Sequence, residues 1–249
     1  VDESLTSDTA TLRVAHVVPV TQAEGPGRRF AVWIQGCSIR CRGCFNPHMW
    51  ARTGGRPVAA LQLAEEADRS DVEGITLLGG EPFEQAEGLA ALAEAVRVGG
   101  LSVMTFTGFL REDLETRAAR GDTSVRRLLE ATDLLVDGPY DRARPDLARP
   151  WVGSTNQRFH FLTPRYAHLR NRLGACNDRL EVRVTAEGQV SVNGWAASDD
   201  LDTLLADLGT RQRPPSRLRR SRDGIAPSET GSAPLGAGSD SGGLPVRRR

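Results

Sequence analysis

Lysine is absent from all 249 residues, so every one of the 32 basic side chains is an arginine. This excludes a lysine Schiff base and a phosphate loop of the kind that ends in Gly-Lys. Charge of one sign is missing too. The 32 acidic residues bring the formal net charge to +0, which argues against a broad nucleic-acid surface. No run of eighteen or so apolar residues occurs, so nothing reads as a membrane span. The first residues, VDESLTSDTA, are acidic and polar without a basic flank or apolar block. No secretory signal is expected there, and the chain reads as cytoplasmic, where thiols stay reduced. Cysteine is scarce: four residues are too few and too unevenly placed for a disulfide framework.

Three of those four, Cys37, Cys41 and Cys44, fall within one stretch, GCSIRCRGCFNP. A close trio spaced CxxxCxxC points to a metal centre, and thiolates select zinc, copper(I) or iron–sulfur clusters. A cluster of four irons wants four ligands. A local trio supplies three and leaves one iron open to a small molecule. The competing reading is structural zinc, because His48 follows and a Cys3His set closes a tetrahedron. Usual zinc modules place their ligands on two separated knuckles, whereas this group sits in one loop. The fourth cysteine, Cys176, stands apart and reads as a free thiol.

Around the trio, β-like and helix-like segments alternate. Residues 12–20 and 29–34 are apolar and β-branched, and 57–67 reads as a helix starting at a proline. Then come a strand at 74–78, a helix at 84–98, a strand at 101–107, helices at 111–120 and 124–131, and strands at 133–137 and 158–162. Strand followed by helix, repeated, implies parallel strands with helical crossovers. Residues 181–195 alternate strictly about Ala186-Glu187-Gly188, a hairpin signal. A closing helix is expected at 199–208. From about Gly209 the chain turns to arginine, proline, glycine and serine, a composition too poor in large apolar groups to order itself, and 209–249 reads as a disordered tail. The unusual loops all follow β-like runs: the cysteine loop, Gly79-Gly80-Glu81-Pro82, Thr107-Gly108 and Asp137-Gly138. In parallel α/β folds the loops at the carboxyl ends of strands share one mouth, where sites are built.

Gly25-Pro26-Gly27-Arg28-Arg29, Gly36-Cys37, the trio and Asn46 together resemble the activating-enzyme signature of the radical S-adenosylmethionine (SAM) superfamily. More narrowly, the chain resembles the activating proteins of anaerobic ribonucleoside-triphosphate reductases. ITLLGGEPF at 75–83, FTGF at 106–109, LLVDGPY at 134–140 and WVGSTNQRFH at 151–160 match that family's motifs in order. Trp33 stands where the signature usually has phenylalanine. The likeness covers roughly residues 13–163.

The resemblance implies an α/β fold, a partial parallel β/α barrel of the radical SAM type forming a domain over 1–208, with the family-like core at 13–163 and an extension with the hairpin at 164–208. It implies a [4Fe-4S] cluster on Cys37, Cys41 and Cys44, with SAM on the fourth iron. Gly79, Gly80 and Glu81 are expected at the SAM amino group, Thr107 and Asp137 toward its methionine or ribose end, and Asn156 with Gln157 at the mouth. Phe45 and Trp50 are expected to shield the cluster. The implied activity is an oxidoreductase that cleaves SAM reductively and places a glycyl radical on a partner, most directly an anaerobic ribonucleotide reductase, with electrons from a donor such as flavodoxin or ferredoxin. The extra hairpin and tail leave a peptide or small-metabolite substrate as the alternative, and the Cys3His zinc module as a third reading.

Overall fold

A computed structural model describes residues 10–176, 180–184, 186, 188 and 190–194. The expected helix at 199–208 and the tail at 209–249 lie outside the described residues. The chain is α/β. Strands β1 (Thr11–Thr21), β2 (Arg29–Ile34), β3 (Arg56–Ala59), β4 (Gly74–Gly79), β5 (Ser102–Phe106), β6 (Leu134–Asp137) and β7 (Arg158–Phe161) form one sheet in the order β3-β1-β2-β4-β5-β6-β7. Helices α1 (Ala60–Asp68), α2 (Ala86–Val98), α3 (Arg111–Ala119) and α4 (Thr123–Ala131) fill the connections.

Parallel pairing holds only in the middle of the sheet, between β2, β4, β5 and β6, where helices make the crossovers. Both flanks are antiparallel. Between β1 and β2 the reason is connection length: the few residues there allow a reversal but no crossover, which needs about a dozen. The helix expected to begin at Pro57 starts later. Residues Arg56–Ala59 are instead an edge strand paired with Thr11 through Val14. A proline suits the first turn of a helix and an edge strand equally, so local sequence does not separate the two.

Alternation along the strands divides the core. Phe30, Val32, Ile34, Ile75, Leu77, Val103 and Leu135 turn to the helices and pack against Leu63, Leu89, Leu92 and Leu128. The intervening residues face the other way. There Met104, Leu134 and Val136 join Val152 and Tyr166, while Ala31 and Trp33 join Val18 and Met49. Helices therefore cover one face, and the cysteine loop and the segment after β6 cover the other.

Two further strands, β8 (Leu180–Val184) and β9 (Val190–Gly194), form the expected antiparallel hairpin. It attaches to the end of β1: Gln22 N donates to Glu181 Oε1 at 2.7 Å, Asn193 Nδ2 to Thr21 Oγ1 at 3.0 Å, and Gly194 N to Glu24 Oε1 at 2.8 Å. Thr21 pairs with Arg29 at the start of β2, so the hairpin sits at the amino ends of the parallel strands, away from the cysteine loop.

Candidate functional site

At the carboxyl end of β2 the chain leaves the sheet at Gln35 and returns near Thr53, enclosing the cysteine loop. Gln35 clamps the base of this loop, its Nε2 donating to Ala51 O at 2.7 Å and to His48 O at 3.2 Å. Backbone bonds from Gly36 N to Met49 O (2.8 Å) and from Cys37 N to Trp50 O (3.1 Å) close it. Two further residues hold it from outside. Glu84 Oε1 accepts from Ser38 N at 2.7 Å, and Gln85 Nε2 donates to Gln35 O at 2.8 Å. Sequence reasoning missed both, because neither belongs to a motif and only the turn after Pro82 brings them across.

All three cysteines are unpaired thiols and half-buried. Burial pushes the Cys37 and Cys41 thiols up, while backbone N–H groups draw them down: Arg40 and Ile39 for Cys37, Tyr140 for Cys41. At Cys44 the amide of Asn46 lies 3.4 Å from Sγ. Amides aimed at each sulfur suit thiolates that share the charge of a cluster, whose properties such hydrogen bonds tune. Among the described residues, no three His, Cys, Asp or Glu side chains are placed to hold a single metal ion. Zinc at about 2.3 Å from each sulfur needs its ligands crowded round one point, whereas a four-iron cluster takes each thiolate on a different iron. The amides that face the sulfurs are the chain's own support for cluster thiolates, and His48 lies exposed.

The glycine turn after β4 abuts this loop. Gly79 has φ +109, and a Cβ there would stand 2.4 Å from Ile34 N; at Gly80 it would stand 2.2 Å from Gly36 O. Neither position admits a side chain, and the closeness lets Gly80 N donate to Ile34 O (2.6 Å) and Glu81 N to Gly36 O (2.8 Å).

Glu81 is 1% exposed and turns inward. Its Oε1 accepts from Thr107 Oγ1 at 2.8 Å and Phe83 N at 3.0 Å, and its Oε2 from Gly108 N at 2.9 Å. Burial pushes its carboxyl up to about 7, against the pull of the Gly108 and Phe83 amides and the Thr107 hydroxyl. This carboxylate ties the loop after β4 to the loop after β5. The next link is backbone, with Gly138 N donating to Phe109 O at 3.1 Å.

Asp137, at the end of β6, is fully buried. Its Oδ1 accepts from Arg158 Nε at 3.0 Å, its Oδ2 from Arg111 N at 2.7 Å, and His160 Nε2 stands 3.0 Å from Oδ1. Burial opposes ionisation, but Arg158, the Arg111 amide and His160 prevail and hold the carboxyl below its usual range. Asn156 Nδ2 donates to Pro139 O at 2.6 Å, and Gln157 Oε1 accepts from Gly153 N at 2.9 Å. Three buried side-chain polar atoms have no hydrogen-bond partner among the described residues: His160 Nε2, which faces Asp137, Asn156 Oδ1, and the indole N–H of Trp50, whose own carbonyl holds Cys37. Buried polar groups are rarely left unpaired, so a polar ligand at this mouth fits the chain's own residues. Phe45 is 55% exposed and stacks on Tyr140 with ring centroids 5.1 Å apart, at the loop's outer side.

Thus the structure links the cysteine loop, Gly79-Gly80-Glu81, Thr107-Gly108 and Asp137-Gly138 at one end of the sheet. Cys176 lies outside them, its Sγ against Arg172 O.

Residues 23–160 match the family model of a 4Fe-4S single cluster domain, a span that contains all four loops. An anaerobic ribonucleoside-triphosphate reductase-activating protein from Vibrio cholerae is 30% identical over 154 residues, covering 58% of this chain and 95% of the relative. The protein of the same name from Enterobacteria phage T4 is 28% identical over 150 residues, 57% of this chain and 89% of the relative. One from Escherichia coli strain K12 is 26% identical over 153 residues, 58% and 95% respectively. With a cluster-domain match over more than half its length and nearly whole relatives aligned to it, the chain belongs to the family of anaerobic ribonucleoside-triphosphate reductase-activating proteins.

Proposed function

We propose that this protein is a radical SAM activase that places a glycyl radical on a ribonucleotide-reductase-like partner. The observation that carries the reading is the linked set of four loops with amide-supported thiols at its centre. Cys37, Cys41 and Cys44 would hold the [4Fe-4S] cluster. With cluster and SAM bound, these groups would supply one-electron reductive cleavage of the sulfonium and abstraction of a glycine hydrogen, chemistry that would belong to the cofactor while the chain positions it.

The chain's own residues position and exclude water. Gly79 and Gly80 bring bare backbone close to the cysteine loop, leaving room for a small chelating ligand. Glu81, Thr107 and Asp137, expected as SAM contacts, have most of their polar capacity engaged with protein groups. Their part in holding SAM is then chiefly to fix the loops that surround it, with one lone pair of Glu81 Oε2 left for an ammonium. Asn156 Oδ1 and the Trp50 indole N–H offer an acceptor and a donor. A primary carbon radical takes hydrogen from almost any C–H group within reach, so an enclosure that admits only the target matters more here than charged groups.

For architecture we favour the incomplete barrel of the radical SAM type, open beside β7. That edge strand borders a cleft of about 440 Å³ lined by Arg158, Phe159, His160 and Phe161. Residues 1–208 would be the catalytic domain, with 209–249 as its tail.

Protein reconstituted anaerobically with iron and sulfide, then given SAM and a strong reductant, should yield 5′-deoxyadenosine. Replacing any one of the three cysteines with alanine should lower that yield at least ~100-fold, as expected for groups that act only together. No 5′-deoxyadenosine from the unaltered protein would overturn the reading. A glycine-centred doublet in electron paramagnetic resonance of a candidate reductase would separate it from a peptide- or metabolite-modifying enzyme.

A further inference from the structure

We infer that the free edge of β7 is a strand-addition site for an acidic, extended segment of a partner protein. β7 (Arg158–Phe161) ends the sheet order, and among the described residues no strand pairs with its outer side. Successive residues of a strand turn their backbone polar groups to opposite edges. Two contacts fix which residues of β7 point outward. Val136 O accepts from Thr107 N at 2.9 Å and so points toward β5, which turns Leu135 and Asp137 toward β7 and their register partners His160 and Arg158. On the far side, Arg149 Nη1 reaches Gln157 O at 2.9 Å from the segment between β6 and β7. Gln157, Phe159 and Phe161 therefore share the outer edge. Arg149 occupies the first carbonyl, and the N–H and C=O groups of Phe159 and Phe161 stay open.

Donors and acceptors alternating along an edge are matched by another extended backbone and not by a compact anion. The side chains beside the edge then set the chemistry of that backbone's owner. The cleft of about 440 Å³ along β7 is lined by Arg111, Arg149, Arg158 and Arg170 and by no acidic residue. Arg149 and Arg170 stand over the Phe159 and Phe161 rings, 5.6 and 5.3 Å from their centroids. Compensation differs between the two faces of the sheet. On the helix face Glu112 and Glu115 offset Arg158 and Arg111, and the buried Asp146 offsets Arg149. Residues 158–176 contain no Asp or Glu, however, and the exposed Arg165, Arg170 and Arg172 have no ion-pair partner among the described residues.

This charge decides among the occupants. A second copy of the chain would set β7 against β7 and bring these arginines together, and the arginine-rich residues 209–249 would meet the same repulsion. Charged side chains are a usual defence of an edge against pairing with its own kind. The same charge selects a strand that carries carboxylates, and because arginine stays ionised at any physiological pH the selection does not depend on protonation. Arginine flanks both faces of the edge, so a segment with acidic residues at alternate positions meets it in either register. The site needs neither cluster nor SAM.

The test uses the whole chain without reductant or SAM, so its outcome stands apart from that of the activase reading. The probes are a short fluorescein-labelled peptide of alternating glutamate and valine, the same peptide with lysine for glutamate, and the glutamate peptide N-methylated along its backbone. Binding is read by fluorescence anisotropy, and protection of the Phe159 and Phe161 amides by hydrogen exchange. The glutamate peptide should bind and protect both amides. The lysine and N-methylated peptides should bind at least ~10-fold more weakly, and R170E should weaken the glutamate peptide by ~10-fold while R170K stays close to the unaltered protein. If R170E lowers the melting temperature, R165E/R172E takes its place. Equal binding of the N-methylated peptide, an unchanged affinity in the charge-reversed protein, or no binding of the glutamate peptide up to ~1 mM would overturn the inference. So would protection of the same two amides by inorganic pyrophosphate, which would make the cleft a phosphate site. Protection that grows with the protein's own concentration would overturn it as well, since the edge would then join copies of this chain.

Discussion

Glu81 shows how one side chain can tie several loops of a site together. It is enclosed, meets three protein donors, and has a carboxyl raised from 4.5 to about 7. A carboxyl raised on folding stabilises the fold fully below its unfolded value and loses that contribution as pH rises through the folded value. From pH 4.5 to 7 this group alone should cost about 3 kcal/mol of stability, at 1.36 kcal/mol per unit. E81Q should flatten this part of the pH dependence in urea unfolding at pH 5 and pH 7.5, with a constant penalty of about 1 kcal/mol because its amide faces the Gly108 N–H. Asp137 has the opposite sign. Held below 3.8 chiefly by Arg158 against the cost of burial, it gives stability that is present above pH 3.8 and disappears as pH falls through the lower folded value. D137N should lower stability by about 2–3 kcal/mol at neutral pH, read as a reduced melting temperature, because the Arg158 fork and the Arg111 amide lose their acceptor.

Among the elements, the turn after β4 has the least freedom to vary. Where a Cβ on Gly80 would stand, the carbonyl of Gly36 is already only 2.2 Å away, and that atom is backbone with no rotamer to escape into. G80A should therefore push the turn away from the cysteine loop, break the Gly80 N to Ile34 O and Glu81 N to Gly36 O bonds, and destabilise the protein by about 2–3 kcal/mol. Iron bound after reconstitution should fall with it, which iron analysis would detect. Strand positions were readable from short apolar runs, as at β2 and β4, and the hairpin from alternation, as at β8–β9. The short strand β3 was not, because what makes it a strand is pairing with β1, far from its own local pattern.

At the scale of the whole molecule, Arg29 ties the sheet to the segment that follows β7. Fully buried on β2, its guanidinium reaches Thr76 Oγ1 at 3.0 Å, Ser102 Oγ at 2.6 Å, Tyr166 OH at 2.8 Å and the Ile75 carbonyl. Among the described residues no carboxylate bonds to it, and its partners are neutral dipoles gathered from β4, β5 and the segment after β7. R29M should orphan buried acceptors on two strands and cost about 3 kcal/mol, a melting temperature lower by roughly 10 °C in a protein of this size. The sequence by itself determined the cysteine trio, the order of the strands and helices apart from β3, and the loops that follow the strands, because spacing and periodicity are local properties. Only the tertiary structure decided that Glu81 faces Thr107 and Gly108 instead of open space, that Glu84 and Gln85 hold the cysteine loop, and that both flanks of the sheet run antiparallel. The side-chain contacts among these join residues 26 to 50 positions apart, and no local pattern encodes which distant groups will be close enough to bond.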